Sequence, residues 1–322
     1  MITARLSILM LGLLAATARA EIYELPPQGY DVIGAVSAVS ARHEDTLVDI
    51  ARRHGLGYED IVRANPDLNP WLPGEGAEVV LPTRFVLPPG PRTGVVLNLA
   101  EYRLYYYPPA KSGETRYVMT YPISIGRMDW ETPLGITEIV NKVVDPAWYP
   151  PKSVREEHAA DGKPLPAVVP AGPDNPLGRF AMRLSMPGYL IHSTNRPAGV
   201  GMRVSHGCIR MLPEDIEFLF GLIDVNTKVR IINEPLKFGW SGDELVMESH
   251  PRLEASDKDP LNDVTALYIS ATGERAGELD WHLAEEIVVR ADGIPTAVGR
   301  GNKDAATSAA SIKNAATSAA FE

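Results

Sequence analysis

The residues with the greatest chemical capacity cluster in one stretch of the chain. Cys208 is the only cysteine in 322 residues, and it sits within Ser205-His206-Gly207-Cys208-Ile209-Arg210. His192 lies 16 positions upstream (208 − 192), in Ile191-His192-Ser193-Thr194-Asn195. A thiol attacks as its thiolate, so a catalytic cysteine needs a neighbouring base or a positive field. His192 and His206 offer the base and Arg210 the field. The carbonyl under attack also needs hydrogen-bond donors for its oxyanion, and backbone N–H groups at a tight glycine turn supply them. Gly207 permits such a turn. The pattern reads as nucleophilic acyl transfer.

Two other readings of these residues are weaker. His192, His206 and Cys208 are all zinc-capable. No fourth ligand follows at a fixed spacing, however, and His43, His54, His158, His250 and His282 are scattered. No metal and no cofactor is therefore expected. A buried, inert cysteine is the bland alternative, and the histidines and arginine around it argue against that.

The elements that position this stretch are mostly strands. Gly 27 and Pro 28 together exceed the usual share and point to turns and a β-rich body. Val95–Leu99 and Tyr102–Tyr107 form a hairpin signal. Residues 117–125, 135–144, 181–192 and 228–232 read as further strands, and 213–223 as a helix opened by Pro213. Eight prolines between Pro146 and Pro176 predict an extended loop that serves as a lid or binding loop. Asp280 to Arg290 reads as a helix within a C-terminal appendage, residues 236–300. Residues 301–322 nearly repeat a run of small residues and carry too little bulk to bury.

Upstream, residues 33–83 read as strand, helix, helix, strand, with Asp45 as the N-cap of the first helix. A Pro-rich hinge at 87–91 separates this segment from the next domain, and a short linker precedes it. Residues 1–20 have the layout of a secretory leader: Arg5, an apolar core from Leu6 to Ala16, and Ala18-Arg19-Ala20 as a cleavage site. Cleavage after Ala20 predicts an exported, periplasmic protein. Loss of Arg5 and Arg19 would take the net charge from −10 to −10 − 2 = −12. An acidic chain with no basic run does not suit nucleic acid.

His192 with Ser205-His206-Gly207-Cys208-Ile209-Arg210 resembles the L,D-transpeptidase (YkuD-type) signature, a His upstream of Ser/Thr-His-Gly-Cys-x-Arg. The likeness extends through Asn98-Leu99, Gly126, Thr132-Pro133-Leu134-Gly135, Pro173-Asp174-Asn175-Pro176-Leu177-Gly178 and Gly199-Val200-Gly201, and so covers residues 93–235. The resemblance implies a mainly β catalytic domain, a sheet or sandwich, with Cys208 as nucleophile and His192 as base. Ser193 would orient the imidazole through its carbonyl, and Gly207 would contribute to the oxyanion hole. Ser205, His206, Asn195 and Arg210 would shape the site or bind substrate, with Arg210 equally able to be a structural ion-pair partner.

The implied substrate is peptidoglycan, with carbapenems as covalent inhibitors. The acyl acceptor is an amine, on another stem peptide or on an outer-membrane lipoprotein. The 170–178 loop and the extra C-terminal region resemble the lipoprotein-anchoring branch. Hydrolysis by water and a non-catalytic wall-binding role are the alternatives. Residues 33–83 resemble a LysM module, a small α+β glycan-binding unit, whose groove would involve Asp45, Thr46, Asn65 and Pro66.

Overall fold

The structure is a computed structural model, and it describes residues 21–301 apart from 129, 255–259, 274 and 276. The expected leader, residues 1–20, and residues 302–322 of the expected tail lie outside the described residues. Gly301 is not the start of that tail but the last residue of a strand.

The N-terminal unit contains β1 (Glu21–Glu24), β2 (Val32–Gly34), β3 (Ser37–Ser40), α1 (Leu47–Arg53), α2 (Tyr58–Ala64), β4 (Glu78–Leu81) and β5 (Arg84–Val86). The strand, helix, helix, strand order runs through β3, α1, α2 and β4. Leu47, Ile50 and Ala51 bury one face of α1. Its N-cap is Thr46 rather than Asp45: Thr46 Oγ1 accepts from the Asp49 amide at 3.1 Å, and Asp49 Oδ2 accepts from the Thr46 amide at 3.1 Å. Asp45, one residue earlier, instead turns inward to Arg53.

The central unit holds β6 (Gly94–Asn98), β7 (Arg103–Tyr107), β8 (Tyr117–Gly126), β9 (Gly135–Val144), α3 (Lys152–Ala160), β10 (Phe180–Leu184), β11 (Leu190–His192), β12 (Arg203–Ser205), β13 (Ile209–Met211), α4 (Pro213–Leu222) and β14 (Lys228–Ile232). A 10-stranded sheet runs β1-β8-β13-β11-β10-β9-β14-β6-β7, and pairing of β7 with β8 closes it on itself. β12 pairs with β8 off this path. The stretch 181–192, expected as one strand, is the hairpin β10–β11, broken where Gly188 takes φ +87°. The expected linker before residue 33 contributes β1, which pairs with the far end of β8.

β7 shows why the sheet reads as unbroken apolar sequence. All five of its residues are buried, because both faces are covered. Leu104 and Tyr106 point into the central core, while Tyr105 and Tyr107 belong to the core of the N-terminal unit. The two cores share one sheet. The expected hinge at 87–91 is accordingly no hinge: Leu87 is buried, and its amide donates to the Asp31 carbonyl at 2.7 Å. Backbone meets backbone where Gly57 approaches Gly201. A Cβ on Gly201, which sits at φ +88°, would lie 2.4 Å from the Gly57 Cα. Arg52 pairs with Glu214 of α4 at 2.6 Å and buried Arg103 pairs with Asp60 of α2 at 2.5 Å, fastening the same contact.

Residues 236–300 form more than an appendage. β15 (Leu236–Ser241), β16 (Glu244–Ser249), β17 (Gly277–Leu279) and β18 (Thr296–Gly301) make a four-stranded sheet packed by α5 (Pro260–Thr272) and α6 (Trp281–Arg290). Asp280 caps α6 through the Leu283 amide at 3.0 Å. A buried cluster locks this unit to the other two. Lys237 Nζ donates to Glu101 at 2.8 Å, Glu248 at 2.8 Å and the Val86 carbonyl at 2.6 Å. Tyr105 and Asn98 donate to Glu101, His250 bonds Glu248, and the Val86 amide donates to Glu248.

Candidate active site

The register of three strands brings the reactive side chains onto one face. β11 runs parallel to β13 with His192 opposite Arg210 and Ile191 opposite Ile209. Alternation sends Ile191 and Ile209 into the core and leaves His192 and Arg210 on the other face, joined by Cys208 two residues before Arg210. All three line a cleft of about 270 Å³.

The turn before β13 is held rigid. Ser205 Oγ donates to the Cys208 carbonyl at 2.5 Å, and Thr132 Oγ1 donates to the Gly207 carbonyl at 2.8 Å while accepting from the Gly126 amide at 3.1 Å. Gly207 sits at φ +95°, and a Cβ there would meet the Tyr189 ring at 2.9 Å. Two hydroxyls therefore clamp the Gly207 and Cys208 carbonyls, one on each side of the Cys208 Cα. The nucleophile has little freedom to wander.

Electrostatics set the protonation of the pair. His192 Nδ1 lies 2.6 Å from the Ser193 carbonyl. A carbonyl only accepts, so Nδ1 carries the proton and Nε2 presents its lone pair. Burial, aided by the Arg210 charge, lowers the His192 pKa to about 3, so the ring is neutral at physiological pH. Burial likewise raises the Cys208 thiol, against the pull of the Leu190 amide and Arg210. The resting thiol donates toward the Gly188 carbonyl at 3.6 Å. The site rests as neutral thiol and neutral imidazole.

Arg210 forms no ion pair among the described residues, and its Nε is buried without a hydrogen-bond partner. A purely structural ion-pair role therefore has no partner here, and the guanidinium faces the cleft. His206 takes a different part. Its Nε2 lies 2.9 Å from Glu157, which is also bound by Arg127, and its ring stands edge-on to Trp130 at 5.2 Å. Hydrogen bonding from Arg127 lowers the Glu157 pKa, and burial lowers that of His206 against the pull of Glu157.

Glu157 belongs to α3, a helix inside the stretch expected to be an extended loop. The prolines at 150–151 and 164–176 bracket a proline-free run that is free to wind. That bracketing was the available signal for the helix. The arm is pinned further by Asn175, whose Nδ2 donates to the Pro146 carbonyl at 2.8 Å, and by a bridge between Trp148 and Val169. Tyr189 and Arg183 also line the cleft. Alternation along β10 was enough to put Arg183 on the side of Ala181, the partner of His192.

Other expected site residues lie elsewhere. Asn195 is exposed and outside the cleft lining. In the N-terminal unit, Asp45 is buried in a two-pronged pair with Arg53 at 2.8 Å, which holds its carboxyl below the usual range. Asn65 is buried, donating to the Ile61 and Val80 carbonyls and accepting from the Val80 amide. Both are occupied by the fold itself and have nothing left for a glycan. Thr46 serves as the helix cap, and Pro66 is exposed.

A clamped thiol beside a neutral imidazole, in a cleft with an unpaired guanidinium, suits an enzyme that transfers acyl groups through cysteine. Residues 92–231 match the L,D-transpeptidase catalytic domain family, YkuD. The chain is 38% identical over 295 residues to the probable L,D-transpeptidase YcfS of Escherichia coli K12, covering 89% of this chain and 91% of that protein. It is 37% identical over 290 residues to the probable L,D-transpeptidase ErfK/SrfK of Salmonella typhimurium LT2, covering 87% and 91%. With the probable L,D-transpeptidase YbiS of E. coli K12 it shares 40% identity over 225 residues, covering 69% and 72%. The chain belongs to the L,D-transpeptidase family and is a cysteine-dependent enzyme of that class.

Proposed function

We propose that Cys208 attacks the carbonyl of the third stem residue of a peptidoglycan tetrapeptide in the periplasm. Its proton passes to His192 Nε2 as the S–C bond forms. The amides of Gly207 and Cys208 receive the oxyanion. The intermediate then expels terminal D-Ala, whose nitrogen takes the proton from His192, and a thioester remains. An acceptor amine attacks the thioester and gives its proton to His192, and the sulfur leaves and is reprotonated. Arg210 holds a substrate carboxylate, for which its two-pronged donor is suited. The observation that carries this reading is the shared face of His192 and Cys208, with Nδ1 tied to the Ser193 carbonyl so that Nε2 is the free base.

The acceptor of choice in this reading is the C-terminal lysine of an outer-membrane lipoprotein, supported by the likeness of the 170–178 loop and the C-terminal unit to that branch. The N-terminal unit acts as a LysM module that holds the glycan. Its exposed rim carries Trp71 and Leu72, with Tyr58 6.3 Å from the Trp71 ring, a surface suited to stacking on sugars.

Intact-protein mass spectrometry after incubation with a carbapenem tests the nucleophile. One adduct per chain is expected, and Cys208→Ala should lose acylation by at least about 10⁴-fold. An adduct that persists in the alanine variant overturns the assignment. Product analysis on tetrapeptide muropeptides, with and without a lipoprotein C-terminal peptide, separates anchoring from 3-3 crosslinking and from hydrolysis.

A further inference from the structure

The charge of the cleft opposes the charge of the chain. The protein carries a net charge of −10. Its cleft is lined by two arginines, Arg183 and Arg210, with no aspartate or glutamate among the lining residues, and Glu157 behind it is taken up by His206 and Arg127. A basic, acid-free pocket in an acidic protein fits an anionic ligand. Arg210 answers to one carboxylate in the reading above, which leaves Arg183.

Register locates Arg183 relative to the nucleophile. β10 pairs Ala181 with His192 and Arg183 with Leu190, and β11 pairs His192 with Arg210. Continued by one pair, the same register sets Leu190 beside Cys208. Arg183 and Cys208 thus share a row on one face, two strands apart, or about 10 Å. Arg210 stands about 7 Å from Cys208 in the other direction, along the strand. The β9–β10 ladder shifts register between Arg183 and Leu184, and such bulges re-aim side chains beside active sites. Arg183 is exposed, and among the described residues it has no ion pair. Arg179 pairs with Asp145 and Lys228 with Glu138, whereas Arg183 keeps its charge free at the edge of the cleft.

We propose that Arg183 is a specificity-determining residue that takes a second carboxylate of the acyl donor. The cleft then selects branched peptide acids whose two carboxylates lie to different sides of the attacked carbonyl, and it discriminates against their amidated forms. This rests on the donor-peptide reading given above.

The test is equilibrium binding to Cys208→Ala protein, which cannot turn over. Isothermal titration compares a tetrapeptide having all its carboxylates free with two peptides, each amidated at one non-terminal carboxylate. One amidated peptide should bind about two- to fivefold more weakly, as expected for an exposed charge pair. Adding Arg183→Gln should weaken the free acid by the same factor and leave that amidated peptide unchanged, and Arg183→Lys should recover part of the loss. Equal weakening of all peptides by Arg183→Gln, or no change for any, overturns the proposal, as does absence of binding to every peptide. If the binding pattern holds but no acyl-enzyme forms with wild-type protein, the proposed reaction fails while the role of Arg183 stands.

Discussion

The cleft and the three-way junction both bury charge, and they treat it in opposite ways. At the junction Lys237, Glu101 and Glu248 are each at most 1% exposed, and each meets opposite charge and further hydrogen-bond partners. In the cleft, Arg210 keeps an orphaned Nε, His192 is held neutral, and the Cys208 thiol makes a long contact to the Gly188 carbonyl. Complete pairing spends no capacity on ligands and joins three units. Incomplete pairing is costly in a buried site and is tolerated where a ligand completes it. The state of hydrogen-bond satisfaction, more than burial or charge, separates the part that holds the molecule together from the part that reacts.

Removing one partner at each site sharpens this contrast most. Lys237→Ala leaves two buried carboxylates facing each other and should cost about 3–5 kcal/mol in urea unfolding. Arg210→Gln should cost less than about 1 kcal/mol, because no partner is stranded. Equal losses would erase the distinction.

The next effect is on pH. An ordinary imidazole with a pKa near 6.5 would lose roughly 30-fold of its free base at pH 5. His192, depressed to about 3 by burial, stays neutral there. Carbapenem acylation should therefore show no limb centred near 6.5 between pH 5 and 8. A bend at that position would mean that the base is charged or lies elsewhere.

Asp215 belongs to neither pattern. It is buried on α4, with Oδ2 unpartnered, and burial followed by repulsion from Glu214 raises it to about 7. A raised folded-state pKa gives stability that is full below the unfolded value near 3.8 and is lost as pH rises through about 7. Asp215→Asn removes that loss. It should stabilise the protein by about 2 kcal/mol at pH 8 and by almost nothing at pH 4. That is roughly half the full linkage value, since the amide also lacks a partner. The gain is read as a shift in urea midpoint at the two pH values. Thr46→Ala loses only the α1 cap and should cost about 1 kcal/mol by the same measurement.

The chemistry was more legible in the sequence than the scaffold. Cys208 and His192 stand out because their types are rare and close together, Gly207 because it adjoins the cysteine, and the Ser193 carbonyl contact was implied by the family resemblance. The strands that position them were harder to see. β12 and β13 have three residues each, too few for alternation to register. The prolines around α3 hid a helix, and with it Glu157. The buried Asp45 and Asn65 show the reverse: the module resemblance implied glycan contact, while their bonds to Arg53 and Val80 depend on pairings across the fold. The charged junction was invisible for the same reason, since Glu101, Lys237 and Glu248 meet only once three units have assembled.

The apposition of Gly57 and Gly201 has a mechanical outcome. With no side chain between the two backbones and a bidentate ion pair beside them, the N-terminal unit is not a tethered arm sweeping a volume. Linker-length arithmetic of effective concentration does not describe it. Under the proposed reading, a glycan held at its rim would meet the thiol at one fixed bearing rather than by random reach.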